Sequence, residues 1–250
     1  MNFDQSEISS AVAACMFSLT FLFGSQVHPL KRLIRDRRTI VSFGAGISTA
    51  YLFIRMIPEI AEAQETVGTA GLQGTGFQNL AYVVAMIGFL VIYGLDHFLD
   101  LTRKTGKGKA LHAAPGEGAE DDTRAFGMIF YVFLLTYVLM EDSNVTPSET
   151  IPYAIAISFH FLAVDHSLAH SMGSRYTNFG RFALAGAALL GWGAGLLLDL
   201  SDLTIALLLA FISGGVIMNS VVMELPTERD GRLFPFVLGS LLFGTALMTV

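Results

Sequence analysis

Charged residues are scarce in this chain. Only 14% of its 250 residues are Asp, Glu, Lys or Arg, whereas soluble domains average about 25%. Cysteine occurs once, as Cys15 in an apolar run, which argues against a disulfide framework and against a cysteine metal cluster. Residues 1–10 contain no Lys or Arg, so we expect no signal peptide, which needs a basic first region.

Apolar residues dominate instead. They make up 53% of the chain, and the mean hydropathy is +0.58. A membrane-spanning helix needs about 20 mainly apolar residues. Candidate spans of about this length are residues 8–24, 39–60, 79–99, 125–140, 152–172, 182–200, 203–225 and 233–250. The sequence therefore predicts an all-α fold, with one transmembrane domain over residues 1–250 built as a polytopic bundle of about eight helices in a lipid bilayer.

The polar loops between these spans differ sharply in charge. Nearly all Lys and Arg residues lie in the loops that follow the odd-numbered spans: Lys31, Arg32, Arg35, Arg37, Arg38, Arg103, Lys104, Lys107, Lys109, Arg124, Arg175, Arg181, Arg229 and Arg232. Positive charge marks the cytoplasmic side of a membrane. We therefore predict that both termini lie outside the cytoplasm, in a plasma membrane such as a bacterial inner membrane. Topology explains the basic residues, so no nucleic-acid partner is expected.

One loop and one arginine stand out from this pattern. Residues 101–123 are rich in Gly, Ala, Lys and acidic residues, and we expect a mobile cytoplasmic loop between the third and fourth helices. Arg55 is the only basic residue inside a span. Its side chain could extend towards the outer surface. Alternatively it could pair with Glu59 one turn on, or with the outer acids Glu141 and Asp142.

The fifth span contains the most ionisable residues, namely His160, Asp165, His166 and His170. Ionisable groups at membrane depth are costly, so they are read as functional by default. His166 and His170 are four residues apart, which places both imidazoles on one helical face, as a metal site requires. His160 lies about 100° further round and about 9 Å along the helix axis.

Other ionisable residues are predicted at the same depth. The third span runs in the same direction as the fifth, which places Asp96 and His97 near the cytoplasmic end, where His166 and His170 lie. Imidazole and carboxylate ligands suit Zn²⁺, Fe²⁺ or Mn²⁺. We predict a divalent-metal site there, formed by His166 and His170 with Asp96 or His97. Asp165 is about 100° from His166 and fits better as a partner that supports a ligand than as a ligand itself.

Eight spans, external termini and a long loop between spans three and four resemble the ZIP family of divalent-metal transporters. Residues 45–59, which end in Ile57-Pro58-Glu59, resemble the second span of that family. Residues 214–226, which end in Glu224-Leu225-Pro226, resemble its seventh span. The resemblance implies a ZIP-like fold that transports a zinc, iron or manganese ion.

The resemblance also shows departures at the metal site. The family holds its metal between spans four and five, and His160 stands at the first ligand of span five. Phe161 and Val164 replace the acidic ligands there, and span four has no ligand before Glu141. The resemblance therefore implies a rearranged site. The acidic outer loops concentrate cations, which favours uptake towards the cytoplasm.

Three functions remain open from the sequence. The first is a divalent-metal carrier with the rearranged site. The second is a ZIP-like scaffold or sensor that no longer transports, because carboxylates are missing from spans four to six. The third is an intramembrane zinc-dependent hydrolase, with His166, His170 and His97 as ligands and Asp96 or Asp165 activating water. The Gly- and Ala-rich sixth span could line a homodimer interface or pack within the bundle.

Overall fold

The fold is all-helical in the part of the chain that the computed structural model describes. That part comprises residues 5–24, 37–72, 78–106, 117–141, 147–172, 176–221 and 232–248. Every regular element in these ranges is a helix, which confirms the predicted all-α class. One of these helices, Asp202–Asn219, is long and apolar enough to cross a membrane by length and composition.

Eight helices follow one another along these ranges. Their bounds are Gln5–Phe23 (α1), Arg37–Tyr51 continued by Leu52–Met56, Ile57–Val67 and Gly68–Leu72 (α2), Leu80–Gly106 (α3), Glu117–Glu141 (α4), Pro147–Met172 (α5), Tyr176–Gly180 continued by Arg181–Gly195 (α6), Asp202–Asn219 (α7) and Leu233–Met248 (α8). Each helix overlaps one of the eight predicted apolar spans, in the same order.

Helical structure also extends into both sides of the predicted loop 101–123. Helix α3 continues to Gly106, and α4 begins at Glu117. Residues 107–116, the centre of that loop, lie outside the described ranges.

Helix α2 contains two π-helical turns. The first, Leu52–Met56, comes just before Pro58. Proline has no N–H to donate to the preceding turn. In this turn the hydrogen bonds reach one residue further back than in an α-helix, and the Ile57 N–H donates to the Leu52 carbonyl. The second, Gly68–Leu72, contains Gly71 at φ 81°, a left-handed conformation that glycine adopts without steric cost and that bends the chain out of the helix.

The helices pack most extensively in the pairs α3 with α7, α2 with α8, and α4 with α6, and α1 packs against both α5 and α6. Glycines allow three of these pairs to touch backbone to backbone. A Cβ on Gly46 would lie 2.2 Å from the Phe236 carbonyl oxygen of α8. A Cβ on Gly191 would lie 2.2 Å from the Phe133 carbonyl oxygen of α4. Any larger residue at these positions would force the two helices apart.

Two hydrogen bonds join helices that are far apart in the sequence. At one end of the bundle, the Trp192 indole donates to the Ser10 hydroxyl over 3.1 Å, which joins the start of α1 to the end of α6. At the other end, the Arg232 N–H donates to the Ser42 hydroxyl over 2.9 Å, which joins the starts of α2 and α8. Contacts of this kind are those expected if odd and even helices run in opposite directions, as the charge pattern of the loops predicts.

Candidate functional site

His160 lies where three helices meet. It belongs to α5 and is only 2% exposed. Its Nδ1 atom is 3.3 Å from the Nδ2 atom of Asn219 on α7. The Tyr131 ring of α4 meets the imidazole edge to face, with 6.3 Å between ring centres. A buried imidazole is thus held by residues from two other helices.

The partner of Nδ1 decides which imidazole nitrogen can bind a ligand. If the Asn219 amide donates to Nδ1, the proton of a neutral imidazole is on Nε2. If the amide is turned so that its oxygen faces Nδ1, that oxygen accepts a hydrogen bond from the Nδ1–H, and the lone pair on Nε2 can bind a metal. The His160–Asn219 pair therefore fits either tautomer, and a change of tautomer requires both a turn of the amide and a move of the proton from one ring nitrogen to the other.

A second buried polar cluster surrounds Asp165 of α5. Asp165 is 1% exposed and accepts a hydrogen bond from the Tyr176 hydroxyl at the start of α6. Burial raises the pKa of Tyr176, which lies between two predicted spans, and the carboxylate of Asp165 raises that pKa further. The tyrosine is therefore neutral and acts as the donor. A Cβ on Gly24, just after α1, would lie 3.0 Å from Asp165 Oδ2, so the end of α1 closes over the carboxylate.

Arg181 adds a positive charge near this cluster. Its guanidinium exerts an electrostatic attraction on Asp165, and it lies 4.7 Å from the centre of the Phe182 ring. The Nε atom of Arg181 is buried and has no hydrogen-bond partner in the described structure. Asp165 is thus held by a neutral donor and balanced by a cation, which suits a positioning role.

The predicted metal ligands are only partly described. His97 of α3 is exposed, and its ring stacks on that of Tyr93 with 5.7 Å between centres. The side chains of Asp96, His166 and His170 lie outside what the structure describes. Among described residues, no three His, Cys, Asp or Glu side chains form a group that could hold a metal ion. The metal site of the sequence analysis therefore stays a prediction.

Arg55 forms an ion pair within α2. Its Nε atom is 2.8 Å from Oε1 of Glu59, one turn further on. Glu59 is buried, whereas the arginine side chain keeps some exposure. Of the two interpretations of Arg55, pairing with Glu59 is confirmed. The pair begins in the π-helical turn of α2 and spans Pro58, so it links that turn to the α-helical segment Ile57–Val67.

Substitution of either member of this pair alone should lower the free energy of unfolding more than substitution of both. Arg55→Met leaves the buried Glu59 carboxylate without its cation, and Glu59→Gln leaves the guanidinium without its anion. Breaking a buried pair one-sidedly is strongly destabilising, whereas replacing both charges is often close to neutral. We expect a coupling of about 1–3 kcal/mol in a double-mutant cycle measured by thermal unfolding. Additive effects of the two substitutions would contradict a buried pair.

Several residues of these clusters were not among the sequence-based candidates. Asn219 is an amide within a predicted span, and that alone was a usable signal. Tyr176 and Arg181 gave no such signal, because aromatic and basic residues at span ends are common, and Tyr131 gave none because it is one of several aromatic residues in its span. Comparisons of the chain with protein-family models, with curated proteins and with solved structures give no match.

Proposed function

We propose that this chain is an integral membrane carrier of divalent metal cations, with a ZIP-like arrangement of eight helices, and that His160 lies on its transport path. The observation that carries the proposal is the complete burial of the imidazole between α4, α5 and α7, with Asn219 as its partner. An ionisable group at the centre of an apolar bundle is costly unless it serves a function. The resemblance places a metal ligand at this position.

The outer surface of the bundle supports a membrane location. Large apolar side chains are exposed on several helices, among them Leu90 of α3, Phe130 of α4, Leu190 of α6 and Leu241 of α8. Soluble monomers rarely expose contiguous apolar surface of this extent. Glycine contacts such as Gly46 against α8 are also typical of helices that pack within a bilayer.

The chemistry of His160 supports a transition-metal substrate. A neutral imidazole binds Zn²⁺, Fe²⁺ or Mn²⁺ through the nitrogen that bears no proton. The amide oxygen of Asn219 can accept a hydrogen bond from the other ring nitrogen, which orients the ring. We infer that a metal bound at His160 passes to His166 and His170 with Asp96 or His97 at the cytoplasmic end, and that Asp165 positions this end of α5 through Tyr176.

Metal content is the direct test. We expect the purified, detergent-solubilised protein to contain stoichiometric metal by mass spectrometry after loading with zinc, iron or manganese. The variant His166→Ala/His170→Ala should lose that metal, and His160→Ala should take up labelled metal into liposomes at least about tenfold more slowly, since a lost ligand or its partner typically costs 10–100-fold.

His112→Ala provides the matched control, because it removes an imidazole from the loop between spans three and four. It should leave both metal content and uptake unchanged. Absence of bound metal from the wild-type protein would contradict the carrier proposal and favour the scaffold or sensor. Full metal content in the double variant would mean that the ligands lie elsewhere.

A further inference from the structure

Arg181 lies close to the point where α1, α5 and α6 meet. Asp165, about two turns before the end of α5, accepts a hydrogen bond from Tyr176 at the start of α6, and Gly24 just after α1 lies against the same carboxylate. Arg181 follows Tyr176 by five residues and attracts Asp165 electrostatically. The charge pattern of the loops predicts that this end of the bundle is cytoplasmic, so in the proposed membrane orientation Arg181 lies near the inner surface.

The guanidinium of Arg181 lies against an exposed aromatic ring. Its central carbon is 4.7 Å from the centre of the Phe182 ring, which belongs to a side chain that is 53% exposed. A guanidinium on the face of such a ring is an attractive contact. The Arg181 side chain is half-buried, and its Nε atom has no hydrogen-bond partner in the described structure. The cation is therefore placed at the edge of the bundle with a donor to spare.

An exposed apolar stripe runs along α6 from this arginine. Phe179 and Leu190 are 72% and 69% exposed, and Phe182 lies between them on the same face. Gly186, one turn after Phe182, has no atom within 4 Å of the position that a Cβ would take. These four residues, the α6 stripe, thus present bulky side chains at both ends with a gap between them.

A polar side chain lies at the same end of α6 as the cation. Asn178 is exposed, and it precedes Arg181 by three residues and Phe182 by four. Residues at these spacings are neighbours on a helix surface. The amide of Asn178 supplies N–H donors, so the start of the α6 stripe carries one cation and one neutral donor group.

We propose that Arg181 and Asn178 bind the phosphate of an anionic glycerophospholipid whose acyl chain lies along the α6 stripe. A guanidinium matches the oxygens of a phosphate in a planar, bidentate geometry. Basic pockets between transmembrane helices on the cytoplasmic side bind anionic headgroups. The site rests on the membrane location in the proposed function, and it takes a partner that the carrier proposal does not include.

The nearby carboxylate does not occupy the same side of the cation. Asp165 is 1% exposed, and its two oxygens lie beside the Tyr176 hydroxyl and Gly24. It therefore attracts Arg181 from the interior of the bundle, whereas the Phe182 ring lies on the exterior. A phosphate that approaches from the exterior meets the cation before it meets the carboxylate.

Thermal unfolding of the full-length protein in detergent tests the site without a transport assay. Phosphatidylglycerol at about ten times its Kd should raise Tm by about 3–6 °C more than phosphatidylcholine does. In Arg181→Gln this difference should fall below about 1 °C. The two lipids are compared within each variant, so any loss of basal stability from the missing attraction to Asp165 cancels. Native mass spectrometry of the wild type should show at least about fivefold preferential retention of phosphatidylglycerol.

Arg232→Gln is the matched control. It removes a cation at the same predicted end of the bundle, but this arginine is exposed and donates to the Thr39 hydroxyl over 3.4 Å. It should keep the full difference between the two lipids. An equal loss in Arg232→Gln and Arg181→Gln would show attraction by overall surface charge and would overturn the site.

Three further outcomes would overturn the proposal in distinguishable ways. Equal stabilisation of the wild type by both lipids would remove the site and leave the membrane location intact, and a dimer on size-exclusion chromatography would then assign the α6 stripe to a second copy. No stabilisation by either lipid would contradict the membrane location as well. The same shift with glycerol phosphate, which has no acyl chains, would reduce the site to an anion site. Divalent-metal content of Arg181→Gln should equal that of the wild type, so the carrier is tested separately.

Discussion

Leucine at position 214 should prevent α3 and α7 from packing and should unfold much of the bundle. A Cβ on Gly214 would lie 1.9 Å from the Ala85 carbonyl oxygen, and a Cβ on Gly88 of α3 would lie 2.0 Å from the Phe211 carbonyl oxygen. Both clashes involve backbone, so no side chain can turn away to relieve them. Overpacking costs 1–3 kcal/mol where side chains can adjust, and we expect Gly214→Leu to cost more than about 3 kcal/mol. Thermal unfolding and size-exclusion chromatography in detergent would measure the loss.

Gly186→Leu is the control for this prediction. Gly186 of α6 has no neighbouring atom within 4 Å of the position that a Cβ would take. Glycine in a helix interior is about 0.8–1 kcal/mol less favourable than alanine, and leucine is a good helix former. We therefore expect the control to melt at or slightly above the wild-type temperature. A Gly214→Leu protein as stable as this control would show that α3 and α7 do not cross at these glycines.

Asp165→Ala should cause the second-largest loss of stability. Asp165→Ala removes the acceptor of the Tyr176 hydroxyl and the carboxylate that attracts Arg181. The buried hydroxyl would lose its acceptor, and the half-buried Arg181 would lose its nearby anion. A buried group left without its partner costs about 1–3 kcal/mol, and more if it is charged. We expect a loss of about 2–4 kcal/mol in the free energy of unfolding.

Conservative variants separate the hydrogen bond from the charge. Asp165→Asn keeps an oxygen that accepts from Tyr176, so it should lose less than Asp165→Ala. Tyr176→Phe removes the donor alone. In a thermal double-mutant cycle of Asp165→Ala with Tyr176→Phe, the two changes should be clearly non-additive, because each removes the same bond. Additive losses would mean that the carboxylate is held chiefly by other groups.

The order of the described helices along the chain could be predicted from the sequence. Apolar stretches such as residues 79–99 and 203–225 are about 20 residues long, and an apolar stretch of that length predicts a helix. The Lys and Arg residues fall on alternate loops, and this placement predicts that successive helices run in opposite directions. Both signals are local in sequence, so they can be used without knowing which helices are in contact.

The partners of the buried polar groups could not be predicted in this way. His160 and Asn219 are 59 residues apart, and their meeting depends on how α5 and α7 rotate about their axes. Tyr176 lies just beyond the end of span five, where the sequence predicts only a connecting loop. Pro58 was a usable signal for the irregular turn of α2, but proline alone does not distinguish a kink from a π-helical turn.

The glycine contacts also bear on the biosynthesis of the chain. Gly46 of α2 has its backbone contact on α8, and Gly88 of α3 has its contact on α7. Neither helix can complete its packing with the segments made immediately before or after it. The first half of the chain therefore leaves the ribosome with its closest-fitting surfaces uncovered, and they are covered only when the second half follows. Any factor that shields small-residue surfaces during synthesis of the chain would act in that interval.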